Sequence, residues 1–286
     1  MFADLHLHSH YSDGTYTAAE VAEEARKHGL KAISLTDHDT VEGCESVGAE
    51  CRSRGLEFIT GVELTAEFDG DELHLLGYFV DTQSLELLGE LAKYQLVRQN
   101  RVREMVARLN KMGIPLTADA VFALAKCRSP GRPHVGRALV QAGICSSLDQ
   151  AFERFLKKHR PAWVPKFKMS AEAGIGIIHR AGGLAVMAHP GLNHCDGAIP
   201  GMVAAGLDGM ECFHSKHTVD TAAYYLEVAV NHGLLVTGGS DCHGMNKGKP
   251  TMGQVRLPYA YIEKMYARMA EISNGAIIKP QVEQSA

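Results

Sequence analysis

The 286-residue chain is 45% hydrophobic and 22% charged, with a formal net charge of −4. That balance fits a folded globular protein and excludes both a disordered chain and one whose overall field would draw it to duplex DNA. No run of about 18 apolar residues marks a membrane span, Asp4 and His6 interrupt any secretory leader, and seven cysteines without a C-x-x-C fit reduced thiols, so a cytoplasmic protein is expected.

The first apolar run, residues 2–8, alternates Leu5 and Leu7 with His6 and His8. In an extended strand, residues two apart share a face, so the imidazoles are expected side by side and the leucines opposite them. Thr17 and Glu20 have the spacing of a capping box and open a helix that stops at Gly29. A strand over 31–36 leads to a helix from Thr40 to about Gly55, and strands over 57–63 and 72–79 follow. The alternation then breaks. A long charged helix over 85–112, carrying Arg98, Arg101, Arg103 and Arg108, is followed by helical stretches at 117–126, 133–141 and 148–158. The arginines of the long helix read as solvated surface or salt-bridge partners. The alternation resumes with a helix from Ser170 to Gly182, strands at 184–188 and 209–213, a helix over 218–232 and a strand over 234–238. The last ten residues read as a loose tail.

Strands alternating with helices imply an α/β fold with a parallel sheet, open or closed into a barrel. Residues 95–165 then form a helical insertion, leaving 1–94 and 166–286 to the barrel. Most of the informative polar residues fall at or just past strand ends: His38, Glu63, His189, Asp241 and His243. His74 sits inside an apolar run of the fourth strand. The C-terminal strand ends of a parallel barrel open on one face, where active sites sit. His6, His8, His38, His74, His189 and His243 can meet there with Asp13, Glu63 and Asp241. These nine donors exceed the roughly four to six that one ion takes, so two or three divalent cations are expected, with Glu63 suited to bridge two. Three carboxylates against three such ions leave a site of about +3, better matched to a dianionic phosphate monoester than to a neutral amide. Phosphate hydrolysis is the expected chemistry, with the ions activating water and steadying charge on the phosphoryl oxygens.

The motifs Asp4-Leu-His6-Leu-His8-Ser, Ser12-Asp13-Gly14, Leu35-Thr-Asp37-His38, Gly61-Val-Glu63, Leu73-His74-Leu75-Leu-Gly77, Ala188-His189-Pro190 and Gly239-Ser240-Asp241-Cys242-His243 span residues 4 to 243. Together they resemble the PHP (polymerase and histidinol phosphatase) family, which is related to the amidohydrolases. The resemblance implies a distorted (β/α)7 TIM-like barrel. It implies one metal on His6, His8, Glu63 and Asp241, a second on Glu63, His74 and His189, and a third on Asp13, His38 and His243. Many members place a histidine where this chain has Asp13, and a carboxylate there favours Mn²⁺ or Mg²⁺ over an all-Zn²⁺ centre, with Fe²⁺ also compatible. Catalytic roles fall to Asp241, Glu63 and His189. His194 is a candidate proton donor, as are His214 and His217, which also follow strand ends. His10, His28, His159, His179 and His232 read as non-ligands, and Cys242 as a packing residue.

The insertion contains Cys127-Arg128-Ser129-Pro-Gly-Arg132-Pro133-His134 and Lys157-Lys-His159-Arg160-Pro-Ala-Trp163-Val-Pro165. These stretches resemble the branch that includes 3′,5′-nucleoside bisphosphate phosphatases and 5′→3′ exonucleases acting on short RNA. Arg128, Arg132 and Arg160 offer forked donors for a second phosphate, with Ser129 and His134 beside them near a helix start. Trp163 either stacks on a base or anchors the insertion. The function implied is removal of the 3′-phosphate from a 3′,5′-nucleoside bisphosphate such as adenosine 3′,5′-bisphosphate, with short single-stranded RNA as a further substrate. The alternatives are a histidinol-phosphate phosphatase and a non-catalytic, polymerase-associated metal-binding module.

Overall fold

The computed structural model describes residues 1–166, 168–193 and 195–278; His194 and most of the expected tail lie outside them. The chain begins β1 (Phe2–Leu7), α1 (Ala18–Lys27), β2 (Ala32–Leu35), α2 (Cys44–Ser53), β3 (Glu57–Phe68) and β4 (Asp71–Tyr78). Thr17 caps α1 as its spacing requires: its side chain accepts from the Glu20 N–H, and its own N–H donates to the Glu20 carboxylate at 2.7 Å. Such caps stabilise a helix by about 1 kcal/mol. Helix α2 starts later than Thr40, because the Thr40 hydroxyl accepts from Glu42 N in a separate turn and Gly43 stands at the N-cap.

Next come α3 (Leu85–Lys111), α4 (Ala118–Ala125), α5 (Arg132–Gln141) and α6 (Leu148–Ala151), the last continuing into a π-helical turn, Phe152–Leu156. Ser84, Thr117 and Ser147 cap α3, α4 and α6. This segment buries an apolar cluster of its own, including Val102, Met105, Leu109, Val121, Leu139 and Leu156. The chain then runs through β5 (Met169–Ser170), α7 (Ala171–Arg180), β6 (Leu184–Met187), α8 (Pro190–Asn193), α9 (Ile199–Ala204), β7 (Gly209–His214), α10 (Val219–Asn231), β8 (Leu235–Gly239), β9 (Leu257–Pro258) and α11 (Ala260–Ile278).

The strand order is β8-β7-β6-β4-β3-β2-β1-β9, with β5 beside β3. Strand β8 comes back to β1: Leu7 bridges Cys242, and the His8 N–H donates to Cys242 O at 2.9 Å. Gly239 permits this approach, since a Cβ there would lie 2.2 Å from the Cβ of His6. The result is a nearly closed barrel containing all seven expected strands. One expectation is corrected: the sheet is not wholly parallel. Strand β3 continues past Glu63 to Phe68 and reverses through Asp69 and Gly70, both at positive φ, so β4 runs antiparallel to β3 and β6. Asp-Gly is a strong two-residue hairpin signal.

Apolar layers flank the strands. Leu7, Val21, Leu35 and Val47 pack β1 and β2 against α1 and α2, and Cys242 joins them as a packing residue. Leu64, Leu75, Ile178 and Met210 pack β3, β4 and β7 against α7. Leu5, Leu76, Tyr78 and Val186 form another cluster with Ile262 and Met265 of α11. Leu5 and Leu7 therefore separate into two clusters where simple alternation put them together. The β1–β2 register is irregular between Asp4 and Leu7.

Candidate metal centre

Glu63 is the hub. It is buried on β3, with Oε1 2.6 Å from His74 Nδ1 and 3.2 Å from His189 Nε2. Its Oε2 lies 2.9 Å from His38 Nδ1, 3.3 Å from His8 Nε2 and 3.5 Å from His6 Nε2. His74 meets His189 here because β4 runs backwards and delivers its middle to the rim. Asp241 Oδ1 approaches His8 Nε2 at 3.2 Å, and Asp13 Oδ1 approaches His243 Nε2 at 3.2 Å. His6 and His8 present Nε2 atoms 3.1 Å apart, as their same-face spacing requires.

Among the described residues, three groups place donor atoms within 4.8 Å of one another: His8, Asp13, His38 and His243; His6, His8 and Asp241; and His38, Glu63 and His74. His8 and His38 each belong to two groups. Mixed imidazole and carboxylate donors suit borderline divalent ions. Glu63 Oε2, Asp13 Oδ1 and His38 Nδ1 are buried against imidazole or carboxylate neighbours without a well-aligned hydrogen bond, a costly state that coordination would relieve. The donor set therefore fits divalent cations.

The carboxylates and imidazoles shift one another's protonation. Burial opposes ionisation of Glu63, but His38, His74 and His6 outweigh it and hold the carboxyl well below its ordinary range. Burial likewise opposes the charge on Asp13, and His243 and His38 prevail. For His8, burial is outweighed by hydrogen bonds to Asp241 and Glu63, and the imidazole is pushed up to about 10. His38 goes the other way, to about 4, because burial dominates there.

A further layer orients these groups. Glu211 of β7, fully buried, faces His6 Nδ1 at 3.1 and 3.2 Å and accepts the His189 N–H at 2.8 Å. A carboxylate behind the imidazole fixes the tautomer, leaving Nε2 bare to face the centre. Sequence reasoning missed Glu211; the available signal was a lone acid inside an apolar strand. Asp37 accepts from Ser9 N at 2.8 Å and from the Ser9 and Ser12 hydroxyls at 2.5 Å, which pins the loop carrying Asp13. His189 and Asp241 sit at φ +28° and +51°; for non-glycine residues such backbones cost about 1–3 kcal/mol and cluster at functional sites. Asp39, at φ +49°, ties the centre to α3. Its N–H donates to Glu63 O at 2.9 Å, its carbonyl accepts from Gln95 at 3.1 Å, and its carboxylate accepts from Arg98 Nε at 2.5 Å.

A cavity of about 290 Å³ opens over the centre. Asp13, His38, Glu63, His74, His189, Asp241 and His243 form one wall, and Arg98, Arg101, Arg132 and Lys166 form another. Arg98 and Arg101 are thus not solvated surface. One face of α3 packs over the barrel mouth, burying Arg98 on its Asp39 ion pair and Arg101 with its Nε on Val164 O at 2.9 Å. Lys166 Nζ stands 3.2 Å from Glu72 and 3.4 Å from His74 Nε2. Burial, with Arg98, Arg101 and Arg132 nearby, brings the ammonium down to about 8 against the pull of Glu72.

Of the residues expected to hold a second phosphate, Arg132 lines this cavity. Arg128 has a side chain 73% exposed and pairs with Glu42 at 3.2 Å, while Arg160 is 50% exposed and lies 3.6 Å from Glu153. Ser129 is fully buried. His134 accepts the Gly131 N–H on Nδ1 at 3.0 Å, and burial brings it down to about 4, so its ring holds the loop before α5 as a neutral acceptor. His214 is buried on β7 with Nε2 3.8 Å from Asp241 Oδ2, and His217 Nδ1 donates to Cys212 O at 2.8 Å.

Barrel and centre together define the class, a metal-dependent phosphoesterase. The PHP domain pattern matches residues 4–157, more than half of the chain, and the chain belongs to that family. It is 32% identical over 258 residues to the 3′,5′-nucleoside bisphosphate phosphatase of Chromobacterium violaceum, covering 87% of this chain and 90% of that protein. It is 34% identical to a 5′-3′ exoribonuclease of Haemophilus influenzae, over 84% and 89% of the two chains. A crystal structure from Bifidobacterium adolescentis, assigned as a metal-dependent phosphoesterase, superposes with a TM-score of 0.86 at 33% identity and covers 93% of this chain and 96% of that one.

Proposed function

We propose that this phosphoesterase removes the 3′-phosphate of 3′,5′-nucleoside bisphosphates. One observation carries the reading: a single cavity of about 290 Å³ has an acid-and-imidazole wall and, facing the same space, the cationic wall of Arg98, Arg101, Arg132 and Lys166. A substrate with two phosphates on one ribose meets both. The 3′-phosphate sits over His6, His8, Asp13, His38, Glu63, His74, His189, Asp241 and His243. The 5′-phosphate takes the forked donors of Arg132 and Arg101, with Arg98 and Lys166 beside them. Two to three divalent cations, Mn²⁺ foremost, supply Lewis-acid polarisation and water activation when bound. The chain's own contribution is orientation. Glu211 aims His6, Asp37 holds the Asp13 loop, and the strained His189 and Asp241 backbones point their side chains inward. Arg128, Ser129, His134 and Arg160 shape the loops around the second phosphate. His194 keeps the proposed role of proton donor to the leaving group.

The name of the Chromobacterium relative supports this substrate. That of the Haemophilus relative favours a second reading, trimming of 5′-phosphorylated short RNA with the terminal phosphate on the same cationic wall. Phosphate release with Mn²⁺ from adenosine 3′,5′-bisphosphate, 3′-AMP, 5′-AMP and histidinol phosphate tests the proposal. The bisphosphate is expected to lead 3′-AMP by about tenfold or more in kcat/KM, the scale of one charge-assisted contact. Equal rates on the two, or none on the bisphosphate, reject the two-phosphate reading. A 5′-phosphorylated RNA trimer in the same panel separates the exonuclease.

A further inference from the structure

We infer that the substrate's nucleobase stacks on Trp163, in a chamber adjoining the cationic wall. This rests on the nucleoside bisphosphate reading above. Glu72, Arg101, Arg132 and Lys166 line two cavities at once, the one over the metal centre and a neighbour of about 470 Å³ that adds Trp163 and Pro165. A ribose whose 5′-phosphate is held at that shared wall has the neighbouring chamber open to its base. The volume lies within the range of small-molecule pockets.

The segment carrying Trp163 presents the ring in this direction. Ala162 and Val164 are buried in the helical cluster, while Trp163 between them is only half-buried and lines the chamber with Pro165. Trp163 closes a turn, its N–H donating to Arg160 O at 2.9 Å, and with Ala162 and Val164 buried on either side its ring is left toward the chamber. Helix α3 fixes the strap: Arg101 donates to Val164 O and Arg108 to Trp163 O. The tryptophan is therefore not an anchor of the core.

The chamber favours a base over a third phosphate. Two of its three lysines are engaged by acids, Lys166 with Glu72 at 3.2 Å and Lys168 with Glu67 at 3.5 Å, and Glu67, Asp71 and Glu72 on its lining oppose a further anion. What it offers instead is an aromatic face. Stacking reads the π-surface every base possesses, so purine and pyrimidine nucleotides are both accepted, purines better through larger overlap.

The test compares adenosine 3′,5′-bisphosphate with ribose 3,5-bisphosphate, which lacks the base, on the Mn²⁺-loaded wild type, Trp163→Ala and Trp163→Phe. Trp163→Ala is expected to raise KM for the nucleotide about 10- to 100-fold and leave the base-free KM unchanged, with Trp163→Phe restoring most of the loss. Equal effects on both substrates, or none on either, overturn the stacking assignment while phosphate release from the nucleotide still upholds the functional reading. Should the wild type hydrolyse neither compound, the functional reading fails. Fluorescence of Trp163, the chain's single tryptophan, then decides stacking separately. Quenching by 5′-AMP supports a base on the ring, and unchanged emission rejects it.

Discussion

The two walls of the central cavity are built on opposite plans. The metal wall is assembled from the rim of the barrel, one or two residues per strand, each side chain buried or nearly so and most held by a neighbour of opposite polarity. The cationic wall comes from one helix face, one helix start and one strap, with Arg98 on Asp39, Arg101 on a backbone carbonyl and Lys166 on Glu72. The first arrangement fixes positions closely enough for coordination. The second gathers positive charge at lower precision, which suffices for anion binding. Chemistry should thus fail sharply when the first wall is touched, and substrate choice should shift when the second is.

The largest expected effect follows from Glu63→Gln. It removes the carboxylate that five imidazoles approach, and a loss of at least about 10³-fold in kcat is expected, at the upper end for one charge-stabilising group. Steady-state phosphate release measures it, and a loss below tenfold would remove Glu63 from the centre of the mechanism. Arg132→Ala should raise KM for the bisphosphate about 10- to 100-fold, the scale of one charge-assisted contact, with little change on 3′-AMP. If both substrates suffer alike, the two walls are not separate.

Glu211→Gln keeps the shape but places an amide against His6 Nδ1, favouring the wrong tautomer. Metal affinity should fall about 10- to 100-fold with thermal unfolding of the metal-free protein little altered. Mn²⁺ titration followed by electron paramagnetic resonance reads this directly, and an unchanged isotherm would refute the orienting role.

Protons should compete with metal at the first wall. In the metal-free protein His8 lies near 10, against an ordinary 6.5. A folded value above the unfolded one contributes stability that is complete below about 6.5 and fades as pH rises through about 10. Metal must displace that proton, so Mn²⁺ affinity should climb from pH 6 to 9 with proton release on binding. Calorimetry in buffers of different ionisation enthalpy tests this, and zero release at pH 7 contradicts it. Smallest of all, Arg128→Ala and Arg160→Ala should change kcat/KM by less than about threefold, as expected of exposed ion pairs.

The same contrast explains what could be read from the chain alone. His6-Leu-His8 and Asp241-Cys242-His243 advertise themselves because their geometry is local. The strands and most helices were legible for the same reason, through short apolar runs and capping residues such as Thr17. The reversal of β4 was missed because Asp69-Gly70 is a hairpin signal outweighed by the surrounding strand–helix alternation. Arg98 meets the salt-bridge half of its expectation through Asp39, but Arg101 was misplaced because periodicity cannot say which side of a charged helix will be covered; that depends on where it docks. Gln95, Arg98 and Arg101, each three residues on from the last, form the polar stripe that marks the docked side, Gln95 and Arg101 being buried. Arg128 and Arg160 drew attention by motif alone, and their side chains turn elsewhere.

Asp39 joins the two walls. Its backbone holds Glu63 and Gln95, and its carboxylate holds Arg98, so three hydrogen bonds on one strained residue connect the hub of one wall to the charge of the other. Such a residue acts as the pivot of a caliper. On the proposed function, the gap between the two phosphate positions is then set by the chain and not by whatever ligand arrives. If the proposed substrate is right, a caliper of this kind sorts diphosphorylated molecules by their phosphate-to-phosphate distance before any base is read.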